Sequence, residues 1–177
     1  MQHLGLLSII IYWAYVLGVV AHDRKDPSVP ISDYMLTGKR RSFYLVAASV
    51  GFTLFYIFNI YWLLPEYELA TYMYVLMTIA YLMQLCTTFT VRTGRIKTSF
   101  HDMTARISGI IAFLLLPVIA FSGIVTNAEK NALLVLYVLF TIAGWHLRSV
   151  NRAFYLPMQL VLFGSFYAVI MYLSYSV

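Results

Sequence analysis

Residues 39–64 read KRRSFYLVAASVGFTLFYIFNIYWLL, so three consecutive cations precede a long run of uncharged residues. From Ser42 to Leu64 the run contains no Asp, Glu, Lys or Arg. A helix that spans a bilayer needs roughly 20 predominantly apolar residues. The pattern therefore predicts a transmembrane helix whose first turn is held by its cations at the anionic surface of a membrane.

The rest of the chain repeats this pattern. Of its 177 residues, 62% are hydrophobic and 11% are charged, whereas soluble domains average about 25% charged residues. None of the apolar runs alternates with the period of two that a barrel strand requires. The sequence therefore predicts an all-α membrane protein with one domain, residues 1–177. Its six predicted transmembrane helices are Leu4–Ala21, Ser42–Leu64, Leu69–Val91, Met103–Val125, Ala132–Leu147 and Ala153–Val177.

The basic residues are concentrated on one side of these helices. The first, third and fifth loops, with the start of the fourth helix, hold eleven of the twelve Lys and Arg residues, and the remaining one is Lys130 in the fourth loop. Short loops rich in Lys and Arg stay in the cytoplasm. The distribution predicts a multi-pass protein of the cytoplasmic (inner) membrane with both termini outside. Because it also accounts for the net charge of +5, the lipid bilayer is an expected partner and nucleic acid is not.

Neutral polar residues in the second helix form one candidate site. Ser49, Gly51 and Thr53 indicate a weak point where the backbone opens to bind an ion or a ligand, and Asn59 adds an amide further along the same helix. The alternative is that these small residues pack against a neighbouring helix.

Histidines at the predicted cytoplasmic ends of the helices form a second candidate site. His22, His101 and His146, with Asp23 and Asp102 beside two of them, have the ligand chemistry for zinc or another divalent ion. The alternative is that histidine simply tolerates the membrane interface. An integral membrane enzyme using this cluster is the weakest functional hypothesis, because the sequence contains no nucleophile–base constellation or phosphate-binding loop. No catalytic residue and no cofactor is predicted.

Three segments resemble motifs of the sodium/solute symporter family. The first linker contains Asp33-Tyr34-x-Leu36-x-Gly38-Lys39, which is similar to the Asp-Tyr-x-Leu-Ala-Gly-Arg signature of that family, with Thr37 and Lys39 in place of Ala and Arg. The second and third matches are looser. They consist of Thr98, Asp102 and Arg106 after the third predicted helix, and of Gln159 after the basic residues of the fifth loop.

The resemblance implies a leading helix followed by the first of two inverted five-helix repeats. In that family the sodium site is completed by the second repeat, so Na⁺ is expected only if a partner completes the site. The leading functional hypothesis is thus a symporter-like transport component that acts with a membrane protein partner or as a parallel homo-oligomer. The alternative is a sensor, regulatory or assembly module derived from the symporter fold without transport.

Overall fold

The computed structural model describes residues 1–23, 40–90, 95–146 and 155–176 of the chain. This part contains six long helices and no strand, and each helix is long and apolar enough to cross a membrane. The prediction of an all-helical protein with six candidate spans is confirmed. The helices are α1 (Gln2–Asp23), α2 (Arg40–Phe58, continued by Asn59–Leu63 and Leu64–Glu66), α3 (Thr71–Phe89), α4 (Arg95–Ala120), α5 (Asn127–His146) and α6 (Tyr155–Ser176).

The largest difference from the predicted boundaries is in α4. This helix begins at Arg95 rather than at Met103, and it ends at Ala120. A hydropathy pattern locates the apolar centre of a helix, and α4 opens with a polar segment that such a pattern excludes. Arg106 therefore lies about three turns inside α4 rather than in its first turn. Beyond the helix, Gly123 has a φ of +84°, a conformation that glycine adopts without steric cost.

Helix α5 also begins earlier than predicted, at Asn127 rather than at Ala132. A capping box explains this start. The Thr126 backbone N–H donates to Glu129 Oε2 at 2.8 Å, and the Glu129 backbone N–H donates to Thr126 Oγ1 at 3.3 Å. These two bonds satisfy backbone donors that the first turn of a helix leaves unpaired.

Helix α2 is continuous through Ser49 and Thr53, so its backbone does not open at the predicted point. It departs from α geometry later, in a π-helical turn at Asn59–Leu63. Pro65 gives the physical reason. A proline has no N–H and its ring collides with the carbonyl four residues earlier, and widening the preceding turn moves that carbonyl away.

Helices α1 and α2 approach each other closely at Gly51. A Cβ atom at this position would lie 3.1 Å from Tyr12 Cβ and 3.2 Å from the Ser8 carbonyl oxygen, both in α1. The absence of a side chain at Gly51 thus lets the two backbones meet. This contact agrees with the alternative interpretation of the small residues, that they pack against a neighbouring helix.

Helix α4 is the central element, because it packs against α3 on one side and α5 on the other and is the most buried of the six spans. Helix α5 is the most exposed. The start of α1 meets the end of α6, where Gln2 Nε2 donates to the Ser174 carbonyl at 2.9 Å and His3 Nδ1 lies 3.1 Å from the Tyr175 hydroxyl. Both ends of the described chain therefore lie on the same side of the bundle.

Candidate functional site: a cavity among five helices

A cavity of about 180 Å³ lies inside the bundle and is walled by α1, α2, α3, α4 and α6. Its residues follow the helical period on α3 and α4. Met77, Ala80, Gln84 and Thr87 face it from α3, and His101, Ala105, Ser108 and Ala112 face it from α4. Spacings of three and four residues place these side chains on one face of each helix. The cavity therefore lies between these faces of α3 and α4 and the other three helices of its wall.

Aromatic side chains form the larger part of the wall. Phe55 and Tyr167 meet edge to face with ring centroids 5.1 Å apart, and Phe113 and Phe166 do so at 5.4 Å. Tyr56 and Tyr81 are stacked, with centroids 4.6 Å apart. Offset and edge-to-face pairs are the preferred aromatic geometries. The rings are therefore held in place by each other, and the space between them is preformed.

Hydrogen-bonded polar side chains occupy the end of the cavity where α3 finishes and α4 begins. Ser108 Oγ donates to Gln84 Oε1 at 3.0 Å, and Thr87 Oγ1 donates to Thr104 Oγ1 at 2.8 Å. Thr104 Oγ1 in turn donates to main-chain carbonyls of its own helix. The Ser108–Gln84 and Thr87–Thr104 bonds join α3 to α4, and the remaining bonds fix the Thr104 hydroxyl. This end of the cavity is therefore rigid, and the hydroxyl hydrogens of these residues point into the protein.

His101 is the most buried ionisable residue of the cavity wall, with only 3% of its surface exposed. Its Nδ1 lies 3.0 Å from the Thr90 carbonyl oxygen. Because a carbonyl can only accept, Nδ1 carries the hydrogen and donates it. In the neutral imidazole this leaves Nε2 as an acceptor, and Nε2 has no hydrogen-bond partner among the described residues.

No Asp, Glu, Lys or Arg is found among the lining residues that the structure describes. A second unpaired polar atom is present instead. The indole nitrogen of Trp13, which lines the cavity, is buried without a hydrogen-bond partner in the described part of the chain. The wall thus offers a neutral acceptor at His101 and a neutral donor at the Gln84 amide, beside a large aromatic surface, whereas the Trp13 nitrogen is covered by the surrounding protein.

The candidate residues predicted in α2 lie outside this cavity. Gly51 faces α1, and Thr53 Oγ1 forms a 2.9 Å hydrogen bond with the hydroxyl of Tyr81, which does line the cavity. Ser49 Oγ is buried and has no partner among the described residues. The structure does not bring these residues together with Asn59, which lies further along the helix in the π turn.

Asn59 is fully buried and has an unusual hydrogen-bond state. Its Nδ2 donates to the Phe55 carbonyl at 2.6 Å, whereas its Oδ1 is buried without a partner in the described part of the chain. A buried unpaired oxygen is costly. It sits at the one place where α2 leaves α geometry, and π turns often occur at functional positions.

The structure places the family-like motif residues in several locations. Asp33, Tyr34, Leu36, Gly38 and Lys39 lie outside the described residues. Thr98 and Asp102 belong to α4 rather than to a loop, and Arg106 lies further along the same helix; Asp102 is half-buried and Arg106 is exposed. Gln159, at the start of α6, is part of the cavity wall.

The three histidines all belong to helix segments at one end of the bundle, but the described side chains do not form a metal site. His101 is buried and hydrogen-bonded to Thr90, whereas His146 is exposed at the end of α5. The side chain of His22 lies outside the described part. Among the described residues no group of three His, Cys, Asp or Glu side chains could hold a metal ion.

The sequence interpretation missed the tyrosines of the cavity. Tyr12, Tyr44 and Tyr167 line the cavity, and no sequence pattern singles them out. One signal could have identified the site. On α3, the polar residues Gln84 and Thr87 repeat at a helical spacing within an uncharged span, and a polar stripe in a bilayer faces the bundle interior. No family model, no curated protein and no solved structure matches this chain.

Proposed function

We propose that this chain is a membrane-embedded ligand-binding module of the sensor or regulatory type. The observation that carries this proposal is the cavity itself, whose aromatic and hydrogen-bonding walls come from five helices of a single chain. Ligand sites in proteins are typically apolar cavities with a few well-placed polar groups. Support also comes from α2, which is unbroken at Ser49–Thr53 and so lacks the opened backbone that a transporter site would use there.

Filling the cavity is expected to abolish ligand binding without unfolding the protein. Gly109 lines the cavity, and a Cβ atom there would meet nothing within 4 Å. In Gly109→Leu the added side chain occupies space that a ligand needs. The assay is a panel of neutral single-ring compounds, and the measurement is the rise in unfolding temperature, monitored by labelling of Cys86, the single cysteine.

Gly18→Leu is the matched control, because Gly18 is exposed and a Cβ atom there also has open space. We expect members of the panel to stabilise the wild type and Gly18→Leu, and to have no effect on Gly109→Leu. If no compound stabilises the wild type more than the Gly109→Leu variant, the proposed function is wrong.

A second candidate function is a symporter-like transport component that needs a partner. The π turn of α2 favours it, because the buried Asn59 Oδ1 is an unpaired oxygen ligand at a helix irregularity. A membrane protein partner or a parallel second copy would supply the remaining oxygens for Na⁺. The test is purification in mild detergent, followed by uptake in liposomes. This function is supported if uptake depends on a sodium gradient and is lost in the Asn59→Leu variant. It is refuted if no recovered complex shows sodium-dependent uptake.

We propose further that the protein lies in the cytoplasmic membrane with both termini outside, on the basis of the Lys and Arg distribution. The six candidate spans among the described residues and the contact between Gln2 and Ser174 support a common side for the two ends of the chain. A reporter that is active only outside the cytoplasm should be active at either terminus. Activity restricted to a fusion in the fifth loop would mean that the orientation is the reverse.

A further inference from the structure

We infer that the cavity binds a small neutral molecule built on a single ring that carries a hydroxyl group, with the hydroxyl at the His101 end. This inference rests on the proposed function, since it names the class of ligand for the same cavity. Its basis is the set of hydrogen-bonding groups that the wall leaves unused, together with the size of the space and the absence of charge from the described wall.

The size of the cavity sets the size of the ligand. An engineered apolar protein cavity of about 150 Å³ holds benzene, and the present cavity measures about 180 Å³. One six-membered ring with a small substituent therefore matches the available space. The fixed edge-to-face pairs among Phe55, Tyr167, Phe113 and Phe166 provide flat apolar surfaces for such a ring.

The electrostatic character of the wall favours a neutral ligand. A buried ion requires a counter-charge or several directed hydrogen bonds, and the described lining residues contain no Asp, Glu, Lys or Arg. An aromatic wall can attract an ammonium group through cation–π contacts. However, Tyr56 and Tyr81 already stack on each other with an interplanar angle of 13°, so each ring has one face covered.

The polar end of the cavity determines the functional group of the ligand. His101 Nε2 is an acceptor, because Nδ1 donates to the Thr90 carbonyl. The Gln84 side chain uses Oε1 to accept from Ser108, which leaves its amide N–H groups as donors. A hydroxyl group can donate to one of these residues and accept from the other. A ligand without a donor would leave His101 Nε2 buried and unpaired, which lowers affinity.

Calorimetric titration of the protein in lipid nanodiscs, with empty nanodiscs subtracted, tests this inference with phenol and toluene. The two compounds have the same size and ring, and only phenol carries the hydroxyl. We expect the wild type to bind phenol about tenfold more tightly than toluene, which corresponds to one buried hydrogen-bond partner. Tetramethylammonium is the third probe, for an ammonium ligand, and we expect it to bind more weakly than phenol.

Two variants test where the hydroxyl of the ligand binds, and a third variant serves as the control. His101→Phe removes the acceptor, and Gln84→Met removes the amide while keeping a long side chain, so each should bring the affinity for phenol close to that for toluene. The Gln84 variant keeps the inference testable if loss of the His101–Thr90 bond unfolds the first variant. His146→Phe changes an exposed histidine that does not line the cavity, and it should bind phenol as the wild type does.

The outcomes separate this inference from the proposed function. Equal binding of phenol and toluene by the wild type, or tighter binding of tetramethylammonium, would overturn the hydroxyl assignment while the cavity remained a ligand site. The same holds if neither phenol nor toluene binds although other ring compounds stabilise the wild type and not Gly109→Leu. Failure of every compound would overturn both proposals.

Discussion

Replacement of Gly51 by leucine is expected to destabilise the protein by about 3 kcal/mol or more, which is at or beyond the upper end of the usual cost of overpacking. A Cβ atom at position 51 would lie 3.1 Å from Tyr12 Cβ and 3.2 Å from the Ser8 carbonyl oxygen. The second of these neighbours is main chain and cannot turn aside as a flexible side chain does. The larger residue must therefore push α1 away from α2 and disrupt the contacts of Val16, Tyr44 and Ala48.

The measurement is the free energy of unfolding in mixed micelles, with Gly18→Leu as the control. Gly18 lies in α1, where a Cβ atom would have open space. In this control leucine should be neutral or slightly stabilising, because it is the better helix former by roughly 0.8 kcal/mol. Similar stabilities for the two variants would show that α1 and α2 do not meet at Gly51.

Replacement of Phe166 by alanine is expected to cost about 2 kcal/mol. This residue is 3% exposed and its ring contacts Phe113, Phe140 and Tyr167 at centroid distances of 5.4, 6.3 and 5.8 Å. When helices associate within a bilayer, the stabilisation comes from packing contacts and not from the removal of apolar surface from water, because lipid is as apolar as the protein interior. The expected loss is therefore smaller than for an equivalent change in a soluble core.

Val161→Ala in the same helix is the control, because Val161 is 68% exposed and should have a stability close to that of the wild type. Phe166 also lines the cavity, so Phe166→Ala should enlarge the ligand site and weaken its preference for a single ring. An unfolding free energy for Phe166→Ala equal to that of Val161→Ala would contradict the observed position of α6 against α4.

The number and type of helices could be predicted from the sequence because hydropathy and length alone determine which segments can cross a bilayer. Helix ends could not be predicted as well, since they depend on local chemistry that hydropathy ignores. Thr126 and Glu129 form a capping box that starts α5 five residues before its apolar part. For the same reason the hydropathy pattern excludes the polar first turns of α4, which begins at Arg95.

The candidate site was less predictable than the fold. Gly51 is recognisable as a small residue, but its neighbour, Tyr12, belongs to a different helix and only tertiary packing shows the contact. The sequence indicates His101 as a candidate metal ligand, whereas its tautomer is set by the carbonyl of Thr90, the residue that follows α3. The cavity combines residues from five helices. How these helices are rotated relative to one another cannot be predicted from the sequence of any one of them.

The position of α6 has a consequence for how the protein is made. Gln159, Phe163, Phe166 and Tyr167 of this helix supply one side of the cavity, and α6 follows the other five helices along the chain. During synthesis the ribosome therefore delivers four of the five walls before the last one exists. Until α6 docks, the cavity lacks the wall on that side. Docking of α6, and not insertion of the earlier spans, is the step that completes the wall of the cavity.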